Sequence, residues 1–276
     1  MASNDAQALA DAVLPLMKAA GDVIMHHYAS VDSLEVHTKA DHTPLTAADL
    51  AAHDVIVQGL HKLTPDIPVL SEEADMPPAE VRRRWPRVWL VDPLDGTREF
   101  IDASGQFCIN VALIENGVAT MGMIYSPVLK MSWLGIHDAG AWRIDASERC
   151  LLSCRTMADS PVLISSSRRF TPDMLACEQG LRNHFGRVER LSQGSAMKFC
   201  RVADGEADIY PCFGPTSEWD TAAGQVIVEA AGGMMLSLDY KPFRYNQRDT
   251  LLNGGFFLLA DRNFDWLPVL RKATAG

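Results

Sequence analysis

The chain has no excess of positive charge. Lys and Arg number 25 against 35 Asp and Glu in 276 residues, a formal net charge of -10. Proteins that hold nucleic-acid polymers recruit Lys and Arg to neutralise phosphates, so such a polymer is excluded as the main partner. A small phosphorylated ligand remains open, provided the site itself brings in positive charge. Nor is there an apolar run near the roughly 18 residues that span a bilayer. Residues Met1 to Gln7 are polar and acidic, so no secretory signal is expected. These absences point to a cytoplasmic protein, with peripheral contact at the cytoplasmic face of the inner membrane left open. The six cysteines have no paired rhythm. Cys150 and Cys154 come nearest to a metal spacing, but no second Cys or His pair accompanies them, so free buried thiols are expected rather than zinc. Internal repeats and low-complexity tracts are also lacking.

What is present is a globular balance. Hydrophobic residues make up 47% and charged residues 22%, enough for one large domain or two intimate halves without disulfide staples. Asp5 to Tyr28 carries a helical stripe of Leu9, Val13, Leu16, Met17, Ala20 and Ile24, with Pro15 as a kink or early boundary and His26 and His27 near its end. A second helix is expected over Thr46 to Leu63, capped by Thr46, with Leu50, Val57 and Leu60 on its apolar side. Val69-Leu70 ends a short strand, and Val88 to Val91 is a fully buried one. Cys108 to Ile114, Ala119 to Tyr125 and Met131 to Ile136 suggest a mixed or antiparallel sheet. Met157 to Pro161 is the boundary candidate. Strands follow at Val162 to Ser165, Arg187 to Leu191 and Ala207 to Tyr210, and a helix at Thr221 to Ala231 ends in Gly232-Gly233. Arg82-Arg83-Arg84 reads as a solvated charged face, and His53 and His61 as surface or core histidines.

The most informative stretch is Trp89-Leu90-Val91-Asp92-Pro93-Leu94-Asp95-Gly96-Thr97. A buried strand delivers two aspartates at its C-terminal end, where layered α/β proteins put ligands. Two close carboxylates repel, and one takes up a proton unless a cation lies between them. Hard oxygen donors suit magnesium, which also binds substrate phosphate. Gly96 and Thr97 then open a helix whose free N–H groups can face an anion. The plain alternative is a strand-to-helix turn with an Asp cap. Two further acidic elements weigh against it: Ser71-Glu72-Glu73 at another strand end, and Glu218-Trp219-Asp220 at the start of an apolar helix. Taken singly, Glu72 and Glu73 read as a solvated loop and Asp220 as an N-cap.

In these three elements the sequence resembles the inositol monophosphatase superfamily, in the family order and from Lys39 to about Phe257. Within it, the extended forms Trp89 to Ile101 and Phe213 to Gly224, together with Lys198-Phe199-Cys200 and Asn253, resemble the bacterial 3'(2'),5'-bisphosphate nucleotidase branch. The resemblance implies a layered αβαβα sandwich of the α+β or α/β class. Residues 1–158 would form a half carrying most metal ligands, and 159–276 a half with Asp220 and the substrate contacts. It implies a monomer or homodimer, two or three Mg2+ ions, sensitivity to lithium, and removal of the 3'-phosphate of adenosine 3',5'-bisphosphate, a by-product of sulfate activation. Arg98-Glu99 stands where true inositol monophosphatases usually have Thr-Asn, which favours the nucleotide.

Residue by residue, the resemblance implies that Glu72, Asp92 and the Leu94 carbonyl hold one magnesium, and Asp92, Asp95 and Asp220 a second. Glu73 is its likelier outer partner, although the pair cannot be separated in sequence. Asp49 and Thr97 would polarise the attacking water, with Glu72 also counted as catalytic. Gly96, Thr97, Gly194, Ser195, Lys198 and Asp220 would contact the substrate. Hydrolysis would proceed by direct attack of metal-activated water, because Asp92 and Asp95 are committed to metal. An adenine-facing surface has Arg168, Arg169, Tyr210 and Phe213 as candidates. The alternatives are an inositol or sugar monophosphatase with the same chemistry and, more remotely, a non-enzymatic metal-binding regulatory protein.

Overall fold

The computed structural model describes residues 3–31, 37–38, 44–157, 160–165 and 171–274. Its first helix, α1 (Ser3–Tyr28), buries Val13, Met17, Ala20 and Ile24 of the expected stripe together with Ala6 and Ala10, while Leu9 and Leu16 flank it half-buried. Pro15 lies on the exposed side within the helix and does not end it. Two short antiparallel strands, β1 (His37–Thr38) and β2 (Pro44–Leu45), lead to α2 (Ala47–Leu63). Thr46 caps α2 as expected, but the apolar face differs from the sequence reading. Leu50 is 45% exposed, and the buried residues are Ala48, Asp49, Ala52, Ile56, Gly59 and Leu60. The reason is close packing on α1: a Cβ on Gly59 would lie 2.5 Å from Leu16 Cδ1. Small residues, rather than Leu50, set which side turns inward.

A seven-stranded sheet follows in nearly sequential order. It is built of β3 (Val69–Ser71), then, after α3 (Ala79–Arg82), β4 (Arg87–Asp95), and, after α4 (Thr97–Ile101), β5 (Cys108–Glu115). β6 (Val118–Ser126), β7 (Met131–Ile136), β8 (Gly140–Ile144) and β9 (Arg149–Leu151) complete it. Only β3 and β4 run parallel. Alternation on β4 shows why the strand is apolar throughout. Trp89 and Val91 face α1 and α2, while Val88 and Leu90 face the opposite core. Arg82 corrects the expected solvated face: it is buried, and its guanidinium donates to Asn246 Oδ1 and to the carbonyls of Arg248 and Asp249. Arg83 and Arg84 are exposed.

Beyond the crossover, a five-stranded sheet forms from β10 (Val162–Ser165), β11 (Glu189–Ser192), β12 (Ile209–Cys212), β14 (Met234–Ser237) and β16 (Phe256–Leu259), in the order β11-β10-β12-β16-β14. Between these strands lie α5 (Pro172–Phe185), α6 (Met197–Ala203), the strand pair β13 (Thr216–Ser217) and β15 (Leu252–Asn253), and α7 (Glu218–Ala230). α8 (Trp266–Thr274) closes the chain. The layers run α1/α2, first sheet, α6/α7, second sheet, α5/α8, the αβαβα order expected. On β16, Phe256 and Leu258 face α6 and α7, and Phe257 and Leu259 face α5 and α8.

The middle layer seats directly on glycines. Gly122 and Gly135 pair across β6 and β7, and a Cβ on either would strike α7 backbone, 2.3 Å from Ala223 O and 2.5 Å from Ile227 Cα. Such contact fixes the height of α7 above the first sheet, and with it the position of the helix N-terminus. Among the described residues no helix is long and apolar enough to cross a membrane.

Candidate active site

Four element ends converge. β4 brings Asp92 and Asp95, three residues apart, which in a regular strand would point to opposite faces. The pairing with β5 slips between them: Asp92 faces Asn110 and Asp95 faces Cys108, so three steps on β4 match two on β5. One extra residue in this bulge restores a common direction. Pro93 fits there because a bulge leaves a backbone position without a ladder bond. Leu94 N donates to Asp92 Oδ1 at 3.0 Å, which fixes that carboxylate on the turn. Parallel β3 ends alongside, with Ser71 opposite Val91 and Glu72 N donating to Val91 O at 3.1 Å.

α7 supplies Asp220. The sequence reading had the helix begin at Thr221 with Asp220 as its cap. Instead it begins at Glu218, Ser217 is the cap, and Asp220 is the third helical residue, accepting from Ser217 N at 2.7 Å. This is a capping box, which explains the three-residue extension. The same device recurs on α2: Asp49 accepts from Thr46 N at 2.8 Å and from Thr46 Oγ1 at 2.6 Å. In both boxes the aspartate commits one oxygen, Oδ2, to the helix start. Asp49 Oδ1 receives the Thr97 hydroxyl at 3.2 Å, and Leu94 O lies 3.3 Å from the same hydroxyl.

Glu72, Asp92 and Asp220 each offer a carboxylate oxygen, and these oxygens lie within 4.8 Å of one another. Neither Glu73 nor Asp95, expected as a ligand, is part of the group; Asp95 Oδ2 accepts from Asn110 and from Ala196 N instead, and Glu72 is thereby set apart from Glu73. The electrostatics are unfavourable as the protein stands. Burial, and then the charges of Glu72, Asp95 and Asp220, push the Asp92 carboxyl well above its ordinary value. Burial, followed by the charge of Asp95, does the same to Asp220. Burial raises Asp95 as well, offset by Lys198 and by the Ala196 N–H. Desolvated, mutually repelling, hard oxygen donors are a set that a small divalent cation fits, and that protons otherwise satisfy.

Two residues that sequence reasoning passed over complete this side. Asn110, buried on β5, donates from Nδ2 to Asp95 Oδ2 at 3.2 Å, and Cys108 lies beside the same oxygen with Sγ at 3.8 Å. The available signal for Asn110 was a polar residue inside an otherwise apolar strand. His53 is no ligand: its Nδ1 meets Ser71 Oγ at 2.8 Å and ties α2 to β3, and burial lowers its pKa. All six cysteines are free. Burial pushes the Cys154 and Cys177 thiols up to about 12, far from the thiolate a metal would need.

From the carboxylates a cleft of about 530 Å3 opens, walled by Asp95, Gly96, Ser195, Lys198 and Asp220. Lys198 Nζ donates to Ser195 O at 2.6 Å and stands 5.2 Å from the centre of the Tyr210 ring. Ser195 has φ 53, and this left-handed turn brings Ala196 N onto Asp95 Oδ2. Gly194 packs against Glu99, where a Cβ would come within 2.8 Å of Glu99 Cγ, and its N–H donates to Gln106 Oε1 at 2.7 Å. Gly96 caps α4 with φ 95. Tyr210 and Phe213 line the cleft, whereas Arg168 and Arg169 lie outside the described residues.

Comparisons with known proteins cover nearly the whole chain. The chain is 44% identical over 246 residues to the 3'(2'),5'-bisphosphate nucleotidase CysQ of Escherichia coli (strain K12), covering 89% of this chain and 97% of that protein. It is 46% identical over 244 residues to the protein of that name from Salmonella typhimurium, covering 88% and 96%. Among solved structures, CysQ from Bacteroides thetaiotaomicron superposes with a TM-score of 0.82 at 37% identity, over 93% of this chain and 98% of that one. Residues 5–263 match the profile of the inositol monophosphatase family. With nearly its whole length matched and the three acidic elements meeting in one carboxylate cluster, the chain belongs to the inositol monophosphatase family.

Proposed function

We propose that the chain is a magnesium-dependent phosphomonoesterase that converts adenosine 3',5'-bisphosphate to AMP by hydrolysing the 3'-phosphate. The observation that carries the reading is the Glu72, Asp92 and Asp220 cluster beside the Asp49–Thr97 pair. The choice of substrate is supported by relatives at 44–46% identity that are named 3'(2'),5'-bisphosphate nucleotidases.

Glu72, Asp92, Asp95, Asp220 and the Leu94 carbonyl are the residues that would hold magnesium. Bound there, the metal supplies Lewis-acid charge to the phosphoryl oxygens and acidifies water, which helps to lower a barrier by about 20 kcal/mol. The chain's own part is orientation and proton handling. Asp49 is clamped through Oδ2, so its Oδ1 accepts the Thr97 hydroxyl hydrogen bond, and the Thr97 oxygen is left to accept a hydrogen bond from, and so orient, an attacking water. The N–H groups of Gly96 and Thr97, at the start of α4, offer donors to phosphate oxygens. Lys198 and Ser195, which wall the cleft, would face the remainder of the substrate, with Gly194 beside them in the same turn, and Lys198 supplies local positive charge in a protein of net charge -10.

The test is phosphate release from adenosine 3',5'-bisphosphate and from inositol 1-phosphate, side by side, with magnesium and then with a chelator. The expected result is preference for the nucleotide, abolished by chelation. Preference for inositol phosphate would keep the metal chemistry and overturn the substrate. Release that survives chelation would overturn the metal.

A further inference from the structure

Two residues before Asp220, Glu218 is buried with no exposed surface, at the first position of α7. Its carboxylate accepts Asn246 N at 2.6 Å and Arg248 Nη2 at 3.0 Å. The same Arg248 nitrogen donates to Asn253 Oδ1 at 2.9 Å. The Asn253 amide then donates to Ser217 O at 2.8 Å and Thr221 Oγ1 at 2.9 Å, on either side of Asp220. Glu218 N donates to Leu251 O at 2.9 Å, and β13 pairs with β15 along Thr216 to Ser217. Arg82 anchors the far side of the loop through Asn246, Arg248 O and Asp249 O. Glu218, Arg248 and Asn253 are not among the residues that wall the cleft.

Fastening of this density is costly. A buried carboxylate requires its ion pair and its hydrogen bonds together, and either alone leaves a desolvated charge. Its geometry converges on the cap of α7 and the residue after Asp220, and so on the one ligand of the cluster that comes from the second half of the chain. Resting on the magnesium reading above, we propose that Arg248 and Asn253 are positioning residues that hold Asp220 within reach of Glu72 and Asp92, with Glu218 as their anchor.

The experiment is calorimetric titration of Mg2+ into the metal-free full chain, with hydrolysis followed against magnesium concentration in parallel. Asn253→Ala and Arg248→Met are expected to weaken magnesium binding by about 10- to 100-fold, the range seen when partners of metal ligands are removed. Turnover at saturating magnesium should stay near that of the parent. Arg248→Lys keeps charge beside Glu218 but cannot bridge to Asn253 in the same way, and should be intermediate. It also serves if Arg248→Met does not fold. Arg155→Met is the control for lost stability alone. It breaks the comparably buried ion pair of Arg155 with Asp208, just before β12 of the second sheet, and it should lower Tm with magnesium affinity unchanged. Parent-like magnesium affinity in Asn253→Ala and Arg248→Lys, with only Tm reduced, overturns the proposal. A parent chain that binds no magnesium overturns the metal reading itself and the positioning role with it.

Discussion

Replacing Asp92 by Asn should make the metal-free protein more stable while removing its activity. The three clustered oxygens lie within 4.8 Å, and two unit charges at that separation repel by about 3.5 kcal/mol at an effective dielectric of 20. Asp92 takes part in two such pairs. The parent does not bear the whole sum, because the cluster can hold a proton at about 1.4 kcal/mol per pH unit above its pKa. A net gain of roughly 1–3 kcal/mol is expected, or several degrees in Tm for a chain of this length. Asn keeps an oxygen for the Leu94 N–H, so the turn survives.

The sign with pH is fixed. Burial and neighbouring carboxylates raise Asp92 above its ordinary 3.8, so the folded state binds its proton more tightly than the unfolded chain does. Its contribution to stability is therefore fully present below that value and is lost as pH rises through the native value. Asp92→Asn should accordingly gain most over the parent near neutrality and least near pH 4. Added magnesium should reverse the order, since a ligand at 100 times its Kd contributes about 2.7 kcal/mol to the protein that binds it. Differential scanning calorimetry in chelator and in magnesium, at pH 5 and pH 7.5, reads all of this. A variant less stable than the parent in chelator at pH 7.5, or a difference indifferent to pH, refutes the reasoning.

Thr97→Ala should lower kcat by about 10^2- to 10^4-fold, the usual worth of positioned general acid–base assistance, and leave calorimetric magnesium affinity unchanged. Thr97→Ser should restore most of the rate, and a parent-like Thr97→Ala enzyme would remove the hydroxyl from the chemistry. Gly135→Ala should cost about 1–3 kcal/mol through overpacking against α7 backbone and weaken magnesium binding, because α7 carries Asp220. Thermal melts that show the loss of stability without any loss of affinity would mean that α7 tilts without moving its first turn.

The acidic elements were legible because they sit in short motifs beside an unmistakable buried strand. Asp92, Asp95 and Asp220 stood out by type and neighbourhood, whereas the magnesium roles came from the family resemblance, with Glu72 and Glu73 not separated in sequence. Their exact placement on elements was less legible. Asp220 looked like a cap because an Asp before an apolar helix usually is one; Ser217, three residues upstream, is what makes it the third helical residue. The bulge that turns Asp92 and Asp95 to one side exists only in the pairing with β5, which no local pattern reports. Arg82 resembled its neighbours Arg83 and Arg84, and its partners at Asn246, Arg248 and Asp249 lie more than 160 residues away. Leu50 was assigned inward on hydrophobicity, whereas α1 and α2 approach through Gly59 and alanines. What local sequence withheld was long-range fit.

The recurrence of one device suggests why the site is built as it is. Asp49 and Asp220 are both third residues of helices closed by a capping box, and each commits Oδ2 to its own helix start. A side chain so held has lost its rotamer freedom before any ligand arrives, so binding does not have to order it. The helix N-terminus also favours negative charge, by about 0.3–1 kcal/mol at exposed sites and up to about 2 kcal/mol in partly buried geometries. That falls short of the about 3.5 kcal/mol of repulsion within each carboxylate pair, and burial, with the neighbouring carboxylates adding to it, keeps both Asp92 and Asp220 raised. The fold thus rigidifies the acidic cluster without neutralising it. A framework that supplies order but leaves negative charge uncompensated is suited to a cation, whose binding would have only the electrostatic part left to do.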